Sequence, residues 1–383
     1  MPKIFVKEFL GGEMTSLTSR VCMAHPPVFS KEKHPIIMTQ PKKRIAVFEK
    51  FAHEVTAEIL GTEPSIKVDV LQFSNGDAKN WQALSAVHGY QIRAARDELP
   101  EQFHCTADFL ARCPNLLAVS SMGAGFDPVD VDACSKAGVI VVNQAGGNAE
   151  GVAEHALGMM LMLSKRVGET DQYMRARNGI GRNDFIGHNI QGKTLGIIGL
   201  GHVGRRAAEL CAGLFGMRVL AHDPYIEEKD FAERNAVSAS WDDLLGASDF
   251  ISVHCPRNEE TMNFLDAAAF AKMKSGAIFI NTARGGIHDE GALHAALSSG
   301  HLAAAGLDVW AVEPPPKDHP LLGLPNVLAS PHTAGVTHES RHQVASYAGE
   351  QLLEIFAGRR PPRLLNPDVW PVFQERYKAL FGG

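Results

Sequence analysis

The segment GLGHVG places the tightest constraint on how this chain can fold, because Gly199, Gly201 and Gly204 have the spacing G-x-G-x-x-G. The apolar run 195–200 leads into it and a helical pattern follows, so a strand, a tight turn and a helix are predicted. The first glycine permits the turn, the second lets a pyrophosphate approach the backbone, and the third lets the helix pack against the strand. The helix N-terminus also presents free amides to phosphates. The segment therefore predicts a dinucleotide-binding unit.

The residue that follows the next predicted strand indicates which dinucleotide is bound. Asp223 lies 19 residues after Gly204, where a carboxylate can accept hydrogen bonds from both adenosine ribose hydroxyls and would repel a 2′-phosphate. Pro224 and Tyr225 come next, rather than an arginine that could hold that phosphate. The sequence predicts NAD in preference to NADP. The alternative is an ordinary glycine-rich turn followed by a loop aspartate.

Strand patterns alternate with helical patterns along most of the chain, in two groups. The first group is predicted at 45–48, 66–73, 90–93, 116–120 and 139–142, with a helix over 102–113. The second group is predicted at 195–200, 218–222, 250–255, 277–281, 306–309 and 327–330. Such alternation is typical of βαβ units and parallel sheets. We therefore predict an α/β fold with a six-stranded, doubly wound Rossmann-type domain and a smaller flavodoxin-like α/β domain.

The length of 383 residues also favours two domains. Residues 1–43 lack sustained periodicity and are predicted to be an N-terminal extension. A substrate domain is predicted over 44–146 and is completed by 336–365, which includes a helical pattern at 338–356. The cofactor domain is predicted over 147–335, beginning with an apolar helix at 148–166, and residues 366–383 are predicted to form a C-terminal arm.

Composition and charge exclude several classes of protein. The formal net charge of -6 argues against nucleic acid as a partner. The sequence shows neither a run of about 20 apolar residues nor a secretory signal, so we expect no membrane partner and a cytoplasmic location. The six cysteines form no CxxC pair and are expected to be buried thiols. The 17 histidines show no metal-ligand spacing, so no metal is predicted.

Several motifs, in the same order along the chain, resemble those of the D-isomer-specific 2-hydroxyacid dehydrogenase family. They are SMGAGFDPVDVDACSKAGVIVVN, GGNAEGVAEHALGMML, KTLGIIGLGHVGR, INTARGGIHDEGAL, AGLDVWAVEPPP and LASPHTAG, and the resemblance covers roughly residues 44 to 365. It implies an NAD-dependent oxidoreductase that transfers a hydride between NAD(H) and a D-2-hydroxy acid or 2-keto acid of the phosphoglycerate, glyoxylate or hydroxypyruvate type.

The resemblance also implies three catalytic residues. Arg284 of NTARG matches the substrate-binding arginine, Glu313 before three prolines matches the acidic partner, and His332 of SPHTAG matches the acid/base. The chemistry agrees, because reduction of a keto acid needs a proton donor that works near neutral pH and a forked donor for the carboxylate. Alternatively, they could be a surface arginine, a loop acid and a core histidine.

Less specific motifs predict further residues that bind the cofactor or the substrate. Beside the glycines and Asp223, the residues predicted to bind the cofactor are His202, Val203, Cys255, Pro256, Thr261, Thr282, Ala283, Asp308 and Gly335. The loop residues Met122, Gly123, Ala124 and Gly125 are predicted to bind the substrate through backbone amides. Arg93 resembles an arginine that binds substrate phosphate in phosphoglycerate-specific relatives, and a surface arginine is the alternative.

Other functions and the assembly state stay open at this stage. Formate- or phosphite-type dehydrogenases share the general fold, and some relatives are NAD-sensing corepressors in which the scaffold binds proteins. The apolar helix at 148–166 and the tail aromatics Trp370, Phe373, Tyr377 and Phe381 suggest a homodimer, since the family dimerises through its cofactor domains.

Overall fold

Parallel strands and helices form two separate sheets in the computed structural model, which describes residues 43–177, 179 and 181–382. The predicted extension 1–43 lies outside the described residues except for Lys43, which begins the first strand. Strands that are buried on both faces, as Gly89–Ile92 and Ala118–Ser121 are, belong inside parallel sheets covered by helices. The α/β fold class is confirmed.

The first sheet has five parallel strands in the order β2-β1-β3-β4-β5. This is the flavodoxin-like order, so that prediction is confirmed. The strands are β1 (Lys43–Phe48), β2 (Ile66–Leu71), β3 (Gly89–Ile92), β4 (Ala118–Ser121) and β5 (Ile140–Val142), and the helices are α1 (Val55–Gly61), α2 (Asp77–Leu84), α3 (Ala107–Arg112) and α4 (Val131–Lys136). The predicted helix 102–113 is shorter than expected, because Thr106 caps α3 by accepting a hydrogen bond from the Phe109 amide.

The second sheet has seven parallel strands rather than the predicted six. They are β6 (Thr194–Ile198), β7 (Arg218–His222), β8 (Val237–Ser238), β9 (Phe250–Val253), β10 (Ile278–Asn281), β11 (Ala304–Leu307) and β12 (Val327–Ala329), in the order β12-β11-β10-β9-β6-β7-β8. The missed strand, β8, has two residues and is too short to show a period. The order reverses beside β6, which is where doubly wound sheets bind their ligands.

The helices that follow β5 cover the second sheet and then return to the first. They are α5 (Ala149–Ser164), α6 (Val167–Ala176), α7 (His202–Phe215), α8 (Glu228–Glu233), α9 (Trp241–Ala247), α10 (Ala267–Lys272), α11 (Glu290–Ser298), α12 (His338–Phe356) and α13 (Trp370–Phe381). The predicted helix 148–166 ends at Ser164, because Arg166 adopts a left-handed conformation before α6 begins. None of the described helices is both long and apolar enough to cross a bilayer.

The C-terminal segment packs on the first sheet of the same chain. Thr56 in α1 donates its hydroxyl to the carbonyl of Ala345 in α12 at 2.8 Å. The side chain of Asn366 accepts from the Val141 amide in β5 at 2.9 Å. Phe373 of α13 is fully buried in the core beside β1 and β4. Packing within the chain therefore accounts for the aromatic residues of the tail.

The cysteines that the structure describes are free thiols. Cys105, Cys113, Cys134 and Cys211 are buried, Cys255 is partly exposed, and Cys22 lies outside the described residues.

Candidate active site

Loops at the carboxyl ends of strands from both sheets enclose a cavity of about 400 Å³, a size typical of small-molecule sites. The predicted site residues that line it are Arg93, Met122, Gly123, Ala124, Gly125, Thr282, Arg284, Asp308, Glu313, His332 and Gly335. Gly199, Gly201, His202, Val203, Gly204, Asp223, Cys255, Pro256, Thr261 and Ala283 are not among its lining residues. The structure therefore brings the three predicted catalytic residues together on one cavity.

His332 and Glu313 form a close pair on the cavity wall. His332 Nδ1 lies 2.7 Å from Glu313 Oε2, and Glu313 Oε1 accepts from the Trp310 amide at 3.1 Å. The hydrogen bond to Glu313 raises the pKa of His332, although burial opposes it. Burial would raise the pKa of Glu313, but the hydrogen bond and charge of His332 outweigh burial and lower it. The pair therefore favours an imidazolium beside a carboxylate.

Asp308, at the end of β11, holds the loop that carries His332. Its side chain is fully buried. Its Oδ1 accepts from the Ser330 hydroxyl at 2.6 Å and from the Thr333 amide at 2.8 Å, and Oδ2 accepts from the Ala334 amide at 2.8 Å. The His332 amide donates to the Asp308 carbonyl at 2.7 Å. Asp308 thus fixes the loop on both sides of His332, a contribution that sequence reasoning missed.

A buried asparagine shapes the turn that carries Arg284. Asn281 ends β10; its Nδ2 donates to the Arg284 carbonyl at 3.0 Å and its Oδ1 accepts from the Ala283 amide at 2.9 Å. The Arg284 side chain then folds back, and Nη1 donates to the Ala283 carbonyl at 2.7 Å. Arg284 Nε also lies 3.2 Å from Oδ2 of Asp127, which is on the loop after β4 of the first sheet. The asparagine in NTARG was the one sequence signal for this turn.

The glycine motif forms the predicted strand–turn–helix. Gly199 has φ +89°, and a Cβ on it would lie 2.6 Å from the Cys255 amide nitrogen. A Cβ on Gly204 would lie 2.1 Å from the Gly199 carbonyl oxygen, whereas a Cβ on Gly201 would meet nothing within 4 Å. Close packing of the chain itself therefore requires the first and third glycines. The second borders open space at the N-terminus of α7, where the helix has no side-chain cap.

This open space and its surroundings fit a dinucleotide. Asp223 is fixed at the end of β7, because Oδ2 accepts from the Leu200 amide at 2.9 Å and Oδ1 accepts from the Tyr225 amide at 3.0 Å. Each oxygen keeps a lone pair for a ribose hydroxyl. The buried hydroxyl of Thr282 has no hydrogen-bond partner among the described residues and borders the cavity. A buried hydroxyl without a partner suits a ligand that would supply one.

Some predicted cofactor residues bond to their own loops. The Thr261 hydroxyl donates to the Pro256 carbonyl at 2.7 Å and accepts from the Asn258 amide at 2.8 Å. Burial raises the pKa of Cys255 to about 12, so its side chain stays a neutral thiol. Burial, followed by nearby arginines, lowers the pKa of His202. Of these residues, Cys255 packs directly against the glycine motif, because its backbone fills the space beside Gly199.

Arg93 borders the first-sheet side of the cavity, where sequence reasoning left its role open. Its Nε is buried without a hydrogen-bond partner in the described part of the chain, and Nη2 lies 3.5 Å from the Phe48 carbonyl.

Within the same described residues, no group of three or more His, Cys, Asp or Glu side chains could hold a metal ion.

Comparisons with known proteins show which family the chain is similar to. Residues 157–334 match the family model described as D-isomer specific 2-hydroxyacid dehydrogenase, NAD binding domain. The chain is 42% identical over 269 residues to a D-3-phosphoglycerate dehydrogenase of Mycobacterium leprae, which covers 70% of this chain and 50% of that protein. It is 38% identical over 282 residues to a glyoxylate reductase of Aeropyrum pernix, covering 72% of this chain and 83% of that protein.

Solved structures show the same fold. The TT0316 protein of Thermus thermophilus has a TM-score of 0.72 and 30% identity, and the match covers 84% of this chain and 99% of that one. A D-lactate dehydrogenase of Aquifex aeolicus, complexed with NAD and lactic acid, has a TM-score of 0.72 and 25% identity, with 84% and 98% covered. The chain spans about half the length of the phosphoglycerate dehydrogenase it matches.

Proposed function

Because the chain belongs to the D-isomer specific 2-hydroxyacid dehydrogenase family, we propose that it transfers a hydride between NAD(H) and a D-2-hydroxy acid or its 2-keto counterpart. The observation that carries this proposal is the His332–Glu313 pair, which faces the same cavity as Arg284. A proton donor and a guanidinium on one small cavity are the groups that keto acid reduction needs.

His332 acts as the acid/base in this proposal. Since Nδ1 is bonded to Glu313, Nε2 is the nitrogen that gives a proton to the developing alkoxide or takes one from the hydroxyl. Glu313 orients the ring and favours its protonated form. Arg284 binds the substrate carboxylate and keto oxygen, with help from the amides of 122–125. Bound NAD(H) supplies or accepts the hydride.

The open space beside Gly201 fits a dinucleotide, and this fit assigns roles to the residues around it. In this proposal the glycine motif, with the amides of His202 and Val203, binds the pyrophosphate at the α7 N-terminus, and Asp223 binds the adenosine ribose. Cys255, Pro256 and Thr261 form the adjoining wall. Thr282, Ala283, Asp308 and Gly335 lie on the nicotinamide side.

The substrate is proposed to be of the phosphoglycerate, glyoxylate or hydroxypyruvate type. Arg93 supports a substrate with a second anionic group, because its Nε is buried without a hydrogen-bond partner among the described residues. Such a group would satisfy a donor that is costly to leave unpaired.

A panel of 2-keto acids with NADH and NADPH tests this function. We expect turnover of at least one of glyoxylate, hydroxypyruvate or phosphohydroxypyruvate, with NADH preferred by at least about tenfold in kcat/KM, or roughly 1.4 kcal/mol. Asp223→Ser should reduce that preference, because the carboxylate that repels the 2′-phosphate is removed. Equal use of NADPH by the unaltered protein would contradict the role of Asp223. Turnover of formate or phosphite alone, or cofactor binding with no turnover, would identify the competing functions.

Replacing Glu313 with glutamine should move the pH dependence of keto acid reduction. Reduction needs protonated His332, so activity falls as pH rises through the pKa of His332, which Glu313 raises. Without the charge, that pKa falls and the high-pH limb of kcat/KM should move down by about one pH unit or more. Glu290→Gln is the matched control, because Glu290 pairs with His319 at 3.2 Å outside the residues that line the cavity. An unmoved limb in Glu313→Gln would show that another group titrates.

We also propose that residues 44–146 with 336–365 act as the substrate domain and 147–335 as the cofactor domain, flanked by the extension 1–43 and the arm 366–383. The separation of the two sheets and the packing of α12 on α1 support this division.

The assembly is proposed to be a cytoplasmic homodimer. Met162 at the end of α5, Val167 in α6 and Ile186 are 38%, 51% and 71% exposed, which leaves apolar side chains on the cofactor-domain side for a second copy to cover. Sedimentation velocity at micromolar concentration should give the dimer mass, and a stable monomer would contradict the proposal.

A further inference from the structure

The carboxylate of Asp127 joins a loop of the first sheet to two loops of the second sheet, one of which carries the cavity residue Arg284. Asp127 lies in the loop after β4, and both of its partners lie on loops of the second sheet. Its Oδ2 is 3.2 Å from Arg284 Nε, and its Oδ1 is 3.3 Å from Arg257 Nη2. The loop itself is fixed, because the Asp127 amide donates to the Ala94 carbonyl at 3.2 Å and its carbonyl accepts from Arg96 Nε at 3.0 Å.

These contacts define the orientation of the Arg284 guanidinium. Nε faces Asp127, and Nη1 donates to the Ala283 carbonyl. A Cβ on Gly125 would lie 2.0 Å from Nη2, so the Nη2 end of the guanidinium lies directly against this glycine. Nη2 makes no hydrogen bond to the described residues, which leaves its donors for a ligand in the cavity.

Arg257 in turn stabilises the carboxylate of Asp127. It donates from Nη1 to the Gly285 carbonyl at 3.2 Å and from Nη2 to Asp127. The side chains of Asp127, Arg257 and Arg284 are 17%, 28% and 26% exposed, so solvent screens them only partly. Without the shared carboxylate, the two guanidinium groups would repel each other and Arg284 would lose its partner at Nε.

We propose that Asp127 is a positioning residue that holds the Arg284 guanidinium by its Nε edge against Gly125, with Arg257 holding Asp127 in place. The inference rests on the proposed function in one respect, namely that Arg284 binds the substrate carboxylate. Two guanidiniums against one carboxylate leave a net positive charge beside the cavity, as an anionic substrate requires. Because Asp127 and the two arginines lie on loops of different sheets, the same contacts hold these loops together.

Asp127→Asn tests this role by kinetics and by binding. The variant should lose roughly 10- to 100-fold in kcat/KM for the keto acid, the effect of one charge-assisted hydrogen bond, with the Kd of NADH within about twofold of the unaltered value. In an Arg284→Gln background the same substitution should cost less than about twofold, because its effect passes through Arg284. A loss that persists in that background would overturn the proposal.

Asp69→Asn is the matched control. Asp69 also accepts from two cations, Arg44 at 2.7 Å and Lys67 at 2.9 Å, and its side chain is 12% exposed. Asp69 lies on β2, outside the residues that line the cavity, so the kinetics of Asp69→Asn should be unchanged.

Gly125→Ala is a second variant, to be used if Asp127→Asn does not fold. Its methyl group displaces Nη2 directly, so it should reproduce the kinetic loss, and unchanged kinetics would contradict the proposed contact.

A crystal structure of Asp127→Asn separates this inference from the proposed function. The guanidinium of Arg284 should leave Gly125, and an unmoved guanidinium would overturn the positioning role. Absence of turnover in the unaltered protein would instead overturn the proposed function and leave that structural outcome decisive for Asp127.

Discussion

His332→Ala is expected to lower kcat for keto acid reduction by roughly 10²- to 10⁴-fold while leaving the Kd of NADH nearly unchanged. The imidazole is the proton donor in the proposed reaction, and its removal leaves the developing alkoxide without that donor. Alanine keeps the Cβ, so the left-handed backbone conformation at this residue, with φ +56°, stays about equally costly. The loop is also held by Asp308 through neighbouring amides, so the loss should reflect the missing imidazole.

Steady-state kinetics and an NADH fluorescence titration measure the two quantities separately. His319→Gln is the matched control, because His319 also pairs with a carboxylate, Glu290, at 3.2 Å. It lies outside the residues that line the cavity, and its kcat should stay within about twofold of the unaltered value. A kcat near normal in His332→Ala would show that the proton comes from another group.

The sequence predicted the fold well where local patterns control it. Strand periods and the glycine spacing depend on residues that are close along the chain: a Cβ on Gly204 would meet the carbonyl of Gly199, five residues earlier. β8 was missed because its two residues, Val237 and Ser238, are recognisable only by their pairing with β7. The predicted helix 148–166 ends two residues earlier in the structure, because its end depends on the left-handed backbone of Arg166, a residue type that ordinarily continues a helix.

The site was predictable only in part. Arg284, Glu313 and His332 were predicted by resemblance, since nothing in their local pattern marks them, and the structure places all three on the candidate cavity. The contacts of Asp127 with Arg284 and Arg257 could not be predicted, because they join loops from different sheets. Asp127 and Arg257 are 130 residues apart in the chain, and only the packing of one sheet's loops on the other brings them together.

Gly204→Ala is expected to destabilise the cofactor-free protein, whereas Gly201→Ala is expected to leave its stability unchanged. The methyl group of Gly204→Ala would lie 2.1 Å from a backbone oxygen, which cannot rotate away, so α7 must move off β6. Overpacking of this kind costs about 1–3 kcal/mol or more, and the melting temperature of the cofactor-free protein should fall by several degrees. Because the displaced helix N-terminus is also the proposed pyrophosphate site, NADH binding should be lost as well.

The methyl group of Gly201→Ala meets no protein atom within 4 Å, so the cofactor-free melting temperature should be unchanged. The same methyl group would occupy the space where a pyrophosphate approaches the backbone, and the Kd of NADH should rise at least about tenfold, or roughly 1.4 kcal/mol. Gly213→Ala is the control on the same helix; its Cβ also meets nothing within 4 Å, and neither quantity should worsen. Unchanged NADH affinity in Gly201→Ala would show that the pyrophosphate does not bind at this turn, even if the melting temperature of Gly204→Ala falls as expected.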